Sequence, residues 1–337
     1  VLVQTYLPEK LKPSDYNLFL SKGWFRGSSL LYRMELVCME QTVHSVINVR
    51  LPLREFNFRD SHHKLLRKNG RRFRVVKGPA VVTPELEALY AKQKSRFNGF
   101  IHASLEDIFC RAFDHRIFST LQFVVYDGPQ AIAASFFDIT SHSVASLLAI
   151  CDPDYASSSL GIYTMLLEVN LAAEMNMDYY YPGYVLDGSP RFNYKMSLGS
   201  YEWMDERKTW RRYVDATPTD TLGTRFRGMM AGLEASLRER GFDPQPRIYP
   251  HFVIPFLDAP FDDLLKFPAF LVIKALEHGH LLVGACDAET ATNYILEVAP
   301  AHHLNVPANL ELSHDYRSGV RYHLGVLRVV LVIDEFR

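Results

Sequence analysis

The stretch from Ala149 to Lys195, AICDPDYASSSLGIYTMLLEVNLAAEMNMDYYYPGYVLDGSPRFNYK, constrains the fold more than any other part of the chain. It reads as a strand end, a tight loop, one strong helix, an aromatic strand, a glycine-bearing turn and a short basic segment. A strand that feeds a glycine-bearing loop into a helix leaves backbone N–H groups where an anion or a reacting carbonyl can sit. The helix is expected from about Leu160 to Asn176, with Ile162, Leu166, Val169 and Ala173 on one face. Glu168 and Glu174 read as solvated positions of that helix.

Upstream, Pro13 opens a short helix capped by Ser14, with Tyr16, Phe19 and Leu20 on its apolar side and a stop at Gly23. SLLYRMELVC and HSVINVRLPL read as strands. Arg50 to Lys77 holds ten Arg or Lys against two acids, a local net charge of +8 in a chain whose total is -1. Within it, SHHKLLRKNGRR suggests a helix capped by Ser61 and ended or turned at Asn69-Gly70, and RRFRVVKG continues as a strand. Such a run is either a solvated face or a surface for a phosphate backbone, which needs clustered Lys and Arg and no fixed spacing.

TPELEALYAKQKSRF has a cap at Thr83 and Pro84 at its first helical position. SLEDIFCRAF is a second short helix, LQFVVYDGPQAIAASFFDIT a hairpin, and SVASLLAICDP a third strand. Strand, turn, strand, strand, helix, strand is the order of an N-acyltransferase-like (GNAT-type) α/β (α+β) domain, a mixed sheet flanked by helices. It is not a dinucleotide-binding order, and neither GxGxxG nor GxxxxGK[ST] is present. Past Lys195, YEWMDERKTWRRYVD fits strand or helix, and TLGTRFRGMMAGLEASLRERG is a helix ending at Gly241. Six prolines then break the chain between Phe242 and Pro268. AFLVIKAL and HLLVGA follow as strands, DAETATNYILEVAP as a helix, and YHLGVLRVVLVIDEF as a final strand. The expected division is an N-terminal subdomain over 1–80, a core over 81–241 and a small C-terminal α/β extension over 242–337.

Cys38, Cys110, Cys151 and Cys286 lie far apart with no CxxC pair, which gives neither a cysteine-cluster metal site nor a disulfide framework. A reducing compartment is the simplest fit. No apolar run approaches a membrane span and no signal-peptide pattern opens the chain, so a cytoplasmic location is expected. His62-His63 and His302-His303 lack partners at metal spacing. Trp203 and Trp210 read as core or rim.

The ordered motifs Asp152-Pro153-x-Tyr155, Ser159-Leu160-Gly161-x-Tyr163, Tyr181-x-Gly183-Tyr184 and Tyr194-Lys195 resemble those of the arginyl-tRNA–protein transferases and the related bacterial leucyl-tRNA–protein transferases. DYNLFLSKGWFR, YRMELVC and VRLPLREFNFRDSHHKLLRKNGRRFRVV resemble the N-terminal half of that family, so the similarity covers roughly residues 15–213. Where the family carries a cysteine cluster, connected with metal or redox cofactor binding, this chain has VCMEQTVHSVINVR with Cys38 alone. Pro182 stands where the family commonly has Leu, and the region past Gly223 has no counterpart.

The resemblance implies an enzyme that passes an aminoacyl group from charged tRNA to the N-terminal amine of an acceptor protein. Its partners would be aminoacyl-tRNA and that N-terminus, with no membrane, no DNA, no metal and no cofactor. An aminoacyl ester is already activated, so the enzyme has to align the amine with the ester and stabilise an oxyanion. Lys195, with Arg191 as companion, would be the cation nearest the 3′-terminal nucleotide or the developing charge, unless it is a plain surface lysine. Tyr181 and Tyr184, flanking Gly183, would bond the aminoacyl group and stack on adenine, with Tyr194 beside them. DYYYPGY also reads as a buried aromatic strand, with Tyr180 facing away from Tyr181. Ser159 and Gly161 would leave N–H groups open at the helix start or, with Ser158, merely cap it. Asp152 is expected to fix its turn, a general-base role being the lesser alternative. Arg67, Lys68, Arg71, Arg72 and Arg74 are the tRNA-contact candidates. Two other readings stay open: an acyl-CoA-dependent N-acyltransferase of the same fold, and a non-catalytic relative that binds RNA or protein.

Overall fold

A computed structural model describes residues 2–94, 100–109, 117–213, 220–256, 263–301, 310–312 and 323–334. In chain order the first part holds β1 (Val3–Tyr6), α1 (Pro13–Ser21), β2 (Phe25–Gly27), β3 (Leu30–Met34), β4 (Leu36–Met39), β5 (Thr42–Pro52), α2 (Asp60–Arg72) and β6 (Arg74–Pro79). The middle holds α3 (Pro84–Lys94), β7 (Phe100–His102), α4 (Leu105–Phe109), β8 (Thr120–Asp127), β9 (Gln130–Ile139) and β10 (Ser143–Cys151). After these come α5 (Leu160–Glu174), β11 (Tyr179–Tyr181), β12 (Tyr184–Leu186), β13 (Glu202–Met204) and β14 (Trp210–Arg212). The last part is α6 (Leu222–Glu239), β15 (Gln245–Ile248), β16 (Ala269–Ala275), β17 (Leu281–Asp287), β18 (Thr292–Pro300), β19 (Leu310–Leu312) and β20 (Leu324–Asp334).

The main sheet runs β14-β13-β5-β11-β10-β9-β8-β6, with β4 and β12 also paired to β5. Among the described residues its one parallel pair is β10 with β11, joined by the α5 crossover, and its other pairings are antiparallel. This mixed sheet with α5 on its face is the GNAT-type arrangement. β1, β3 and β2 form a small sheet, and β15-β16-β17-β18-β20 an antiparallel one. The second of these packs against α6, so that Leu233 and Leu237 share a core with Phe270, Val283 and Leu296, and with Val3, Leu36 and Val43 near the N-terminus. β5 and β6, from the segment 1–80, are strands of the same sheet as β8 to β11.

Several local expectations need correction. Lys12, and not Ser14, precedes α1, and Arg59, and not Ser61, precedes α2. Asn69-Gly70 does not end α2, because Asn69 is buried inside it and donates to the Ser158 carbonyl at 2.8 Å. SLLYRMELVC is two strands, which part at Glu35 as its N–H turns to the Leu2 carbonyl. Ala173 is exposed, while burial on α5 spreads to Tyr163, Met165, Glu168 and Ala172, because the helix lies between the sheet and α2. YEWMDERKTWRRYVD is the β13–β14 hairpin. The helix expected over 287–300 is a turn, with Ala291 at φ 55°, followed by β18, which pairs on both edges. Two flanking strands outweigh the helix preference of its Ala, Glu and Leu. Cys110 and His302-His303 lie outside the described residues.

Candidate active site

β10 and β11 pair only from Ser143 to Ala145. Beyond that the register of β10 against β9 shifts between Ser146 and Leu148, and β11 ends at Pro182, which has no N–H to continue a ladder. Gly183 follows at φ 96°, a region that favours glycine. The strands therefore part, and a cavity of about 230 Å³ opens at the gap. Tyr181, Pro182, Gly183, Tyr184, Phe192 and Lys195 line it from one side. Ala145, Ser146 and Leu147 come from β10, Tyr16 and Leu20 from α1, and Phe25, Arg26 and Tyr32 from β2 and β3.

Aromatic rings frame this space. Tyr184 meets Phe25 and Phe192 edge-on, each at 5.4 Å, and Phe25 lies 5.7 Å from Tyr32. Lys195 Nζ sits 4.7 Å from the Phe192 centroid and donates to the Tyr184 carbonyl at 3.4 Å. Lys195 as a whole is partly exposed, but its ammonium is enclosed, and burial lowers its pKa to about 8. No carboxylate pairs with it among the described residues. Burial pushes the Tyr181 and Tyr184 hydroxyls upward, so both stay protonated donors. Arg50 opposes the shift of Tyr181, and its own guanidinium is sandwiched between the rings of Tyr179 and Trp210.

The second cation of the cavity is Arg26. It pairs with buried Asp138 at 2.6 Å, donates to Thr120 Oγ1 and stacks 4.0 Å from Phe118. Tyr16 closes the same group, donating to Asp138 Oδ2 at 3.0 Å. Nothing local in WFRG marks Arg26, because its partners lie about a hundred residues away; an arginine among aromatics is the one hint the sequence offers.

The remaining site candidates fall outside this cavity. Asp152 is buried at the far end of β10, accepts from the Asp154 N–H at 3.0 Å and pairs with Lys92 at 2.6 Å. Ser159, at φ 49°, and Gly161 start α5, whose first turn has no side-chain cap. Arg191 lies 3.7 Å from Glu40. Tyr194 is 51% exposed, but its hydroxyl end is enclosed, and burial first, then the Cys151 thiol and the Glu168 carboxyl, raise its pKa. Arg67, Lys68, Arg71, Arg72 and Arg74 are exposed on α2 and β6, and α2 packs beside α5. Tyr180 and Tyr181 do face opposite ways, Tyr180 toward α5 and Tyr181 toward α1.

Glu168 corrects the sequence reading. It is fully buried, because polar groups wait for it on the sheet, and Oε2 accepts from the Tyr180 hydroxyl at 2.8 Å. Cys38 is a single buried thiol on the Pro268 carbonyl at 3.3 Å, pushed far up by burial, and does not fit a metal or redox-cofactor ligand set. Among the described residues no group of three metal-ligating side chains occurs, and no helix is long and apolar enough to cross a membrane. A larger cavity of about 400 Å³, between Gln41–Val43, α6 and β15–β16, contains none of the sequence-assigned site residues.

The family model for the C-terminus of arginine-tRNA-protein transferases matches residues 85–227. An aspartate/glutamate leucyltransferase of Leptospira interrogans is 28% identical over 194 residues, covering 56% of this chain and 73% of the relative. One from Chromohalobacter salexigens is 26% identical over 230 residues, covering 62% and 89%. Among solved structures, FemX overlaps with a TM-score of 0.36 at 8% identity, over 59% of this chain and 68% of its own. The matched region contains the parted strands, α5 and the Tyr184 and Phe192 side of the aromatic cage, and over it the chain is similar to the arginyl- and leucyl-tRNA–protein transferases.

Proposed function

We propose that this protein transfers a leucyl group from charged tRNA to the N-terminal amine of an acceptor protein with an acidic first residue. The lining of the cavity carries the reading: aromatic and aliphatic walls, two cations, and no carboxylate among the lining residues. A donor guanidinium would be buried there without a counter-ion, which is costly, whereas a leucyl side chain gains from burial. Arg26 is already neutralised by Asp138, which leaves Lys195 as the cation for an acidic acceptor or a developing oxyanion. Relatives named aspartate/glutamate leucyltransferase support the same choice.

In this reading the amine attacks the ester carbonyl between Tyr184 and Lys195. Alignment alone contributes ~7–11 kcal/mol. The Tyr184 and Tyr181 side chains shape the wall, and Gly183 lets the chain turn close to the Lys195 ammonium, whose Nζ would stand 3.4 Å from an added Cβ. Ser159 and Gly161 present the first turn of α5 to the 3′ end of the tRNA. Asp152 fixes the loop entering α5 and is not the base. The exposed basic face of α2, held against the start of α5 by the bond from Asn69 to Ser158, meets the phosphates.

The test is transfer of radiolabelled leucine or arginine from charged tRNA to reporters with acidic or basic N-termini, by wild type and by Lys195→Ala. Leucine transfer to acidic reporters is expected, reduced at least ~100-fold in the variant while tRNA binding holds. Arginine transfer would reverse the donor assignment, and no transfer from tRNA that still binds would leave a binding protein.

A further inference from the structure

Glu168 has no part in the reading above, yet it lies directly behind the same gap between strands. Three hydroxyls surround its carboxyl: Tyr180 on β11, Ser135 on β9 and Ser146 on β10. Tyr180 closes a normal hydrogen bond to Oε2 at 2.8 Å. The serines face the group without closing one to Oε1, and neither Glu168 Oε1 nor Ser135 Oγ has a hydrogen-bond partner among the described residues. A fully buried carboxyl with an open oxygen is expensive unless the oxygen has work. Ser146 stands at the register shift of β10 and lines the cavity together with Lys195. Ser146 is therefore the residue common to the surroundings of the carboxyl and the wall of the cavity. The other ionisable groups that bear on this spot are the Tyr194 and Tyr201 hydroxyls and the Cys151 thiol. Burial raises the Glu168 pKa to about 7, against the pull of the three hydroxyls.

We propose that Glu168 is the proton acceptor of the transfer step, reached from the cavity through the Ser146 hydroxyl. This rests on the reading that an amine attacks an aminoacyl ester there. The ammonium first loses one proton to solvent. The nitrogen lone pair then forms the C–N bond, and the carbonyl π electrons move onto oxygen. The adduct nitrogen, now cationic, gives a proton to Ser146 Oγ as Ser146 gives its own to Glu168 Oε1. The carbonyl re-forms, the bond to the ribose 3′-oxygen breaks, and the proton returns along the same path to that oxygen. Amide and free hydroxyl result, and Glu168 ends as a carboxylate with no further reactant needed.

The experiment is single-turnover transfer at saturating donor and acceptor, between about pH 5.5 and 9, for wild type, Glu168→Gln, Glu168→Asp and Ser146→Ala. Glutamine keeps the shape and can still accept from Tyr180. The rate is expected to fall ~100-fold in Glu168→Gln and ~10-fold in Ser146→Ala, with partial recovery in Glu168→Asp. Acceptor affinity stays within about twofold, and the near-neutral inflection of the wild-type profile disappears while the alkaline one of the amine remains. A folded Glu168→Gln with the wild-type rate and profile overturns the proposal. So does a slower variant with an unchanged profile, which marks a packing role. If Glu168→Gln does not fold, Ser146→Ala decides, and an unchanged profile there overturns the proposal. A wild type that transfers nothing overturns instead the functional reading beneath it.

Discussion

Asp187 sits just after β12, in a turn that no motif marks. Burial alone would raise its pKa, but bonds from His44, Thr221, Arg227 and the Ser45 N–H outweigh this and hold it well below the usual carboxylate range. A depressed folded-state pKa means that this stabilisation is present above the unfolded value of about 3.9 and is lost as pH falls through the folded one. Asp187→Ala should therefore cost about 3–5 kcal/mol at pH 7, and the cost should shrink below about pH 4. Urea unfolding at several pH values measures both, and a pH-independent loss would refute the electrostatic account. His44 works in the opposite sense: its raised pKa, due first to Asp187, adds stability below about pH 6.5 that is lost above the folded value. Residue by residue, the sequence discloses what is local. Tyr181, Gly183, Tyr184 and Lys195 fall within fifteen residues of one another, so their meeting at a cavity is legible. Arg26, Tyr16 and Ser146 reach it only through tertiary packing. Glu168 misleads because its face of α5 is buried against hydroxyls, and a periodicity of apolar residues is blind to a polar lining.

Among the elements, α2 is the one whose chemistry is plainest in the chain and whose end is least so. Its charge run predicts an exposed basic face, and Arg67, Lys68 and Arg71 are exposed. Asn69-Gly70 looks like a terminus, but the helix runs on to Arg72, with the Asn69 side chain bonded to the Ser158 carbonyl just before α5. If this face meets tRNA phosphates, Arg67→Ala with Arg71→Ala should weaken tRNA binding uniformly across sequences. It should also make the salt dependence of log K shallower by about two. Filter binding over a range of salt measures this, and an unchanged slope would return the run to a solvated face. Arg72 is a poorer probe, being already tied to Asp127 at 3.0 Å. The order β8, β9, β10, α5, β11 was readable because each segment carries its own periodicity and turn residues. β18 was not, since its strand state comes from neighbours on both edges.

For the molecule as a whole, the long-range pairings decide what is one body. The C-terminal sheet joins α6 and the first strands of the chain in one apolar core, a union that no local signal announces. β5 does the same for the main sheet. Along its eleven residues it is paired in turn with β4, β12, β13 and β11, so that strands from 36–39 and from 179–204 meet on it. Both of its edges are in use, and nearly every side chain on it is buried, including His44, Ser45, Asn48 and Arg50. Such a strand has no small opening available to it. Hydrogen-exchange mass spectrometry should find its amides protected to the full free energy of unfolding, responding to urea with the global slope, while α2 exchanges through partial openings. Deuterium would then enter β5 only when the N-terminal strands, the parted β10–β11 pair and the aromatic turn all let go together. Any variant that loosens this one strand would be read by the isotope as a change in the whole fold.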